Sequence, residues 1–334
     1  MEPAVATKLG VWPGILASLA VAAAALLLGM QVPLVGGAVF AILLGVLVAN
    51  ALRLSPTLKP GLAFCSRKVL QFAIVVLGGG LSLTQVWHTG RESAVVMLGT
   101  LLMALLMAWG LGRLLRIPTN LAALVGVGTG ICGGSAIAAV APIVEAEDDE
   151  IAFAISTVFL FNLLAVVIFP LFGALMRMTD NGFGIWAGTA INDTSSVVAA
   201  GYSYSFAAGT TATIVKLART TMIVPVALGF AFWRTRACRG SSMQVGLCRI
   251  FPWFVLGFLG AAVLNTVGAF GTALPQHLSD AGRVLICVAL AGVGLGTNLR
   301  NLVKTGARPV LLGLLIWAGV ACTSLGLQWI LRQF

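Results

Sequence analysis

Three charged residues stand where a hydrophobic sequence can least accommodate them. Asp193 lies mid-way along the apolar stretch 185–201, IWAGTAINDTSSVVAAG. Lys216 and Arg219 lie mid-way along the next, 208–226, AGTTATIVKLARTTMIVPV. In a bilayer each such charge costs about 2.5–3.5 kcal/mol on insertion scales, so it normally faces a protein-lined cavity and carries function. Lys216 and Arg219 are spaced i, i+3 and share a helix face, and Thr213 and Thr220 extend the same polar stripe. Both bases lie too deep in their span for snorkelling to bring them easily to water. Two cations on one buried face suit a small anion.

The donors that would complete such a site are residue types that start helices. Asn192, Asp193, Thr194 and Ser195 all suit a helix N-terminus, and a half-helix opening near Thr194 would aim free N–H groups at mid-membrane. Gly133, Gly134 and Ser135, within GVGTGICGGSA (126–136), could do the same in an earlier span. Two positive helix ends make an anion site from backbone alone. Three roles stay open for Asp193: capping its own helix, pairing with Lys216 or Arg219, or coupling to a cation or proton. Pairing would leave one base over, which still needs an anion. Asn298 ends a third Gly-rich stretch, LAGVGLGTN (290–298), and could reach the cavity, whereas Asn162 and Asn265 read as interhelical hydrogen bonds. His88 and His277 read as loop histidines.

The elements that position these groups must be membrane helices. The 334 residues are 59% hydrophobic and 9% charged, with a mean hydropathy of +1.04. Soluble domains carry roughly 25% charged residues, so this chain belongs in a bilayer, as one transmembrane domain over 1–334 with no soluble part. The net charge of +10 then reflects bases gathered on the cytoplasmic face and not a nucleic-acid partner. Six cysteines show no CxxC pair and no metal-like spacing, so neither a disulfide framework nor a metal site is read.

About 20 apolar residues span a bilayer. Windows of that kind fall near 11–29, 34–52, 66–84, 93–112, 119–143, 151–175, 182–204, 207–233, 250–270, 281–299 and 307–331. The expected fold is therefore all-α and polytopic, with eleven transmembrane helices. With the N-terminus inside and the C-terminus outside, fifteen of the 20 basic residues fall in the cytoplasm, three fall outside and two lie in the membrane. The acidic run Glu145–Glu150 falls outside, and the basic stretch 234–249 inside. Gly-rich stretches at 77–82, 126–136 and 290–298 read either as close helix packing or as breaks lining a cavity. Internal similarity joins 128–141 to 188–201 without gaps, and 68–81 to 283–295. In this topology the first pair runs parallel and the second antiparallel, so either one match is chance or one segment is re-entrant.

GTGICGGSAIAAVAPI, WAGTAINDTSSVVAAG and the following A-x-I-V-K-L-A-R resemble the bacterial YeiH-type family, a group labelled as sulfate exporters. The likeness extends to KVLQFAIVVLGGGL and to GVGLGTNLRNLVKTGARPVLLG, nearly the whole chain. The resemblance implies a multi-pass carrier of the bacterial inner membrane with a moving transport domain. It also implies kinship with the crossed, broken-helix cation/proton antiporters and bile-acid symporters. Many members carry His where this chain has Asn192. The combined expectation is a secondary transporter, of elevator or other alternating-access type, for a small anion such as sulfate, another sulfur oxyanion or an organosulfonate. It is not expected to be an enzyme or to hold a cofactor, and Na+ or H+ is the candidate coupling ion. Lipid and the anion are the expected partners, with self-association left open. A cation/proton antiporter is the nearest rival, although that chemistry favours two membrane carboxylates and only Asp193 is present. An intramembrane hydrolase using Ser195 or Ser196 with Lys216 is the rival from another class.

Overall fold

The computed structural model describes residues 10–31, 36–52, 54–237, 253–271, 274–297 and 307–333, and among these there is no strand. In chain order the helices are α1 (Trp12–Gln31), α2 (Gly36–Ala51), α3 (Pro56–Gly78, with a π-helical turn at Cys65–Val69), α4 (Leu83–Leu114), α5 (Thr119–Gly130), α6 (Gly134–Val144) and α7 (Asp148–Leu175). They continue with α8 (Asp180–Ala190), α9 (Thr194–Tyr204), α10 (Phe206–Thr221), α11 (Ile223–Ala237), α12 (Trp253–Thr266), α13 (Leu274–Leu295) and α14 (Ala307–Ile330). Seven stretches are long and apolar enough to cross a membrane: α1, α3, α4, α7, Phe206–Arg234, α13 and α14. Every window expected from hydropathy falls on a helix or a pair of helices. His88 and His277, expected in loops, lie near the beginnings of α4 and α13 and are exposed.

The chain divides into two compact units, Met1–His88 with Val198–Phe206 and Trp253–Arg300, and Thr89–Val197 with Ala207–Pro252 and Asn301–Phe334. In the first unit, glycines allow α2 and α13 to touch backbone to backbone. A Cβ on Gly294 would lie 2.3 Å from the Ile42 carbonyl oxygen, and one on Gly45 would lie 2.9 Å from that of Ala291. Small-residue contact of this kind replaces the hydrophobic effect as the force between helices in lipid. LAGVGLGTN is therefore a packing stripe inside α13 and not a break. LGGGLS is also not a mid-span break, because α3 ends at Gly78 and the chain turns there into α4. Asn265 and Thr266 of α12 tie that turn, on the Leu81 carbonyl and the Leu83 N–H. Gly294→Ala is expected to cost about 1–3 kcal/mol, since a rigid carbonyl must move. Gly260→Ala in α12, where an added Cβ meets nothing within 4 Å, should be near neutral. Melting of the two purified variants in detergent checks the contrast.

In the second unit the stretch GVGTGICGGSA does interrupt a helix, and the chain then folds back. A Cβ on Gly128 would lie 2.9 Å from Cδ1 of Ile137, which a helix continuing straight on could not bring together. At the far end Asn120 of α5 and Val144 of α6 line one cavity with Phe230 and Trp233 of α11. The reversal is made at Gly133, whose φ of +70° and ψ of −130° are open to glycine and strained for other residues. α5 and α6 are thus an antiparallel hairpin, which corrects the reading of 119–143 as one continuous span. Arg234 donates to the Val144 carbonyl and pairs with Glu145. The start of the acidic run and the start of the 234–249 stretch are therefore neighbours, not residues on opposite faces. Residues 238–249 lie outside the described residues.

α8 lies beside α10 and runs in the same direction. Gly184 faces Ala208 and Thr211, and one turn later Gly188 faces Ala212 and Val215. α9 ends at Tyr204, two residues before α10 begins, so it must return towards the end from which α8 started. Trp186 donates to the Ala321 carbonyl at 3.2 Å, and Thr189 and Ser324 share a hydrogen bond of 2.7 Å, fixing α8 to α14. The helices of each broken pair have 11 or 12 residues. At 1.5 Å per residue such a helix rises about 16–18 Å, roughly half the hydrocarbon thickness.

Candidate functional site

The two breaks fall at the positions that the internal alignment equates, 60 residues apart: α5 ends at Gly130 and α8 at Ala190, while α6 begins at Gly134 and α9 at Thr194. The Gly133 and Asp193 elbows touch, since a Cβ on Gly133 would sit 3.5 Å from that of Asp193. Four helix ends therefore meet, two presenting carbonyls and two presenting N–H groups.

Lys216 and Arg219 serve the carbonyl ends. Both side chains are fully buried on α10. Lys216 Nζ donates to the carbonyls of Ile131 (2.6 Å), Ile191 (3.1 Å) and Asn192, which uses all three donors of an ammonium. Arg219 donates from Nε to Gly130 O at 2.7 Å, from Nη2 to Thr129 O at 2.9 Å and from Nη1 to Ile191 O at 3.5 Å. These are carbonyls that a terminating helix leaves without intrahelical partners, at the end where its dipole favours a cation. The i, i+3 spacing was legible in the sequence; the partners were not, because main-chain carbonyls carry no residue signature.

Asp193 serves an N–H end. Its carboxylate accepts from the Ser195 N–H at 2.9 Å and from the Ser195 hydroxyl, and its carbonyl accepts from the Val197 N–H at 3.0 Å. That is a helix cap. Its own N–H donates to Asn162 Oδ1 at 3.1 Å, the interhelical role expected of Asn162. The bonds recorded for the two bases thus run to carbonyls and those of the Asp193 carboxylate to Ser195, so neither an Asp193 ion pair nor a Ser195–Lys216 dyad is formed. The other N–H end is open only at its first two residues, since the Cys132 sulfur accepts from the Ala136 N–H. Gly133 at the start of α6 makes no side-chain cap, and Gly134 and Ser135 are exposed.

Asn192 is the residue whose setting the sequence did not anticipate. It is 1% exposed, and neither its Nδ2 nor its Oδ1 has a hydrogen-bond partner among the described residues. An unsatisfied buried polar atom costs about 1–3 kcal/mol, so such a group in a native interior calls for an explanation. The structure brings together Gly133, Gly134, Ser135, Asn192, Asp193, Thr194, Ser195, Lys216 and Arg219, while Asn298 lies outside the described residues.

Comparison with known sequences places the chain. The family model described as conserved hypothetical protein 698 matches residues 13–313. A UPF0324 membrane protein of Streptococcus pyogenes serotype M18 is 43% identical over 331 residues, covering 96% of this chain and 98% of the relative. A UPF0324 membrane protein of Clostridium tetani is 40% identical over 313 residues, covering 90% and 91%. One from Streptococcus agalactiae serotype V is 40% identical over 326 residues, covering 96% and 97%. With seven stretches able to cross a bilayer and relatives of this kind along its whole length, the chain belongs to the conserved hypothetical protein 698 family of UPF0324 membrane proteins and is a multi-pass bacterial membrane protein.

Proposed function

We propose that this protein is a secondary transporter for a small anion, held at mid-membrane where the two helical hairpins meet. The observation that carries this reading is the charge balance there. Each helix end counts for about half a charge, and two carbonyl ends cancel two N–H ends. Lys216 and Arg219 against Asp193 then leave one positive charge unopposed. A net charge in the interior of a membrane protein is costly, and a bound anion offsets it. The open N-terminus of α6 and the unpartnered amide of Asn192 supply donors beside that charge. In this reading Lys216 and Arg219 do not grip the solute. They hold the carbonyl ends and supply the field, while backbone N–H groups make the contacts.

The topology follows from the hairpins. α5–α6 would enter from the face holding Arg234, and α8–α9 from the opposite one, so the two similar segments run inverted to each other. Among the described residues that leaves nine crossings: the seven long stretches and the shorter α2 and α12. The N-terminus stays inside and the C-terminus outside. Arg177 moves outside and the acidic run moves inside, so the basic residues divide fourteen to four with two in the membrane, still a strong inside bias. Two hairpins meeting at half depth fit alternating access by movement of one rigid body, the elevator form of transport. The similarity to sulfur-anion exporters makes sulfate, sulfite, thiosulfate and taurine the first solutes to examine. Asp193, half-buried at the elbow, is the group through which H+ or Na+ would couple.

Thermal shift of the purified protein against those anions, phosphate and carboxylates, with and without sodium and across pH, tests the reading. An anion should raise the melting temperature. Asp193→Asn takes the local charge from +1 to +2. It should therefore tighten the anion by about tenfold or more, for an interaction of a few kcal/mol at this range, and remove the effect of the coupling ion. Stabilisation by sodium alone, abolished in Asp193→Asn, with no response to any anion, would favour the cation/proton antiporter.

A further inference from the structure

We propose that the first unit carries a separate binding site for a phosphate-type oxyanion, built into a cavity at the end of α2. The cavity has a volume of about 560 Å³, within the range of small-molecule sites. Its wall includes Lys59 and Arg67 of α3, hydroxyls of Ser55 and Ser66, and Asn50 and Thr297. Asn50 is not spare, since its Nδ2 already donates to the carbonyls of Val46 and Thr297. Leu54, Leu62 and Leu295 supply apolar surface beside the polar groups.

Charge decides what would occupy it. Among the described residues the lining contains two cations and no carboxylate. Within the unit's sequence the acids are Glu2 and Asp280, and Asp280 lies 3.7 Å from Arg283 of its own helix. The C-terminal ends of α2 and α13 point carbonyls this way, but at about half a charge each they offset only one of the two cations. The start of α3, at Pro56 with Ser55 capping, adds a positive end. Among the described residues of this unit a net charge of at least +1 remains unanswered on the exposed Lys59 and Arg67, in a concave site with hydroxyl donors.

The location favours an amphiphile. α2 stops at Ala51, α3 starts at Pro56 and α13 stops at Leu295, so the cavity sits where apolar helices end, at headgroup depth. Leu52 and Phe64 are exposed nearby in the chain, in position to meet acyl chains. The π-helical turn at Cys65–Val69 adds a residue to α3 beside the cavity, a distortion found frequently at functional sites. The shared chemistry is a tetrahedral oxyanion, borne by an anionic phospholipid headgroup or by a free phosphate or sulfate. The site shares no residue with the hairpin elbows and does not depend on the transport reading.

The test uses full-length protein in lipid nanodiscs, with Lys59→Gln/Arg67→Gln as the variant. Arg116→Gln/Arg177→Gln, which removes two exposed charges outside the cavity, is the control. Melting is followed in phosphatidylcholine discs, in the same discs with 10% phosphatidylglycerol, and in phosphatidylcholine discs with inorganic phosphate or sulfate. Stabilisation by phosphatidylglycerol that the cavity variant loses and the control keeps assigns a lipid headgroup. The same pattern with free phosphate or sulfate assigns a soluble anion. The apparent affinity should fall roughly thirtyfold, as expected for two basic side chains at a membrane surface. Equal responses in wild type, variant and control, or no response to any of them, overturn the proposal. Retained phosphatidylglycerol counted by native mass spectrometry gives the same answer for a variant whose melting is shifted for other reasons.

Discussion

Lys216→Met is expected to destabilise the second unit at the elbows, apart from any effect on binding. The side chain is fully buried and its ammonium bonds three main-chain carbonyls from two hairpins. Methionine fills a similar space with no donor, so the carbonyls of Ile131 and Asn192 lose their recorded partner. Ile191 keeps only the 3.5 Å contact from Arg219. Lys216 itself is out of reach of solvent, and breaking a buried charged interaction costs about 3–5 kcal/mol. On the scale of soluble domains that is a fall in melting temperature of roughly 10 °C. Lys216→Arg should fall between, since the charge survives but a planar fork cannot meet three converging carbonyls. The fraction of Lys216→Met that stays folded should show no stabilisation by anions, because the local charge has gone from +1 to zero. A melt matching the wild type would mean that the elbows hold together without this lysine, and the charge balance proposed for the site would then fail with it.

That expectation differs from what the sequence alone suggests, and the difference shows what a sequence can carry. Hydropathy located every described helix, because a bilayer leaves the backbone few alternatives to a helix. The break at 126–136 and the start near Thr194 were legible because glycine and N-capping side chains have distinct local chemistry. Hydropathy could not distinguish a helix that crosses from two half-helices that fold back, since both expose the same apolar residues to the same medium. The reversal shows in the approach of Ile137 to Gly128 and of Glu145 to Arg234, and such tertiary pairings have no local signature. Glycine is ambiguous for the same reason. At Gly133 it permits a positive φ, whereas at Gly294 it permits a second backbone to come close, and only the fold tells these apart. Lys216 and Arg219 were found by their cost in lipid, which is why they could be singled out without their partners being known.

Gly134→Pro is expected to abolish most of the anion response while leaving the fold intact. Gly134 is the first residue of α6, and the one side-chain contact to this end, from Cys132, goes to the Ala136 N–H and not to that of Gly134. Proline suits a first helical position, where its fixed φ is already correct and no intrahelical bond is lost. Space is available, since a Cβ on Gly134 meets nothing within 4 Å. The preceding Gly133, at φ +70° and ψ −130°, holds an extended mirror-image conformation that a following proline tolerates. The substitution therefore deletes one N–H donor and little else. A hydrogen bond to a charged acceptor contributes about 1.5–3 kcal/mol, so binding should weaken roughly 10- to 150-fold, with melting of the unliganded protein nearly unchanged. Gly134→Ala adds the same Cβ but keeps the N–H, and should bind like the wild type. If proline and alanine behave alike, the solute does not meet the α6 N-terminus. If both retain full binding and Asn192→Ala does not, the Asn192 amide makes the contact in its place. The comparison separates a backbone-donor site from one made by side chains, which no substitution of Lys216 or Arg219 can do, since those residues also hold the elbows together.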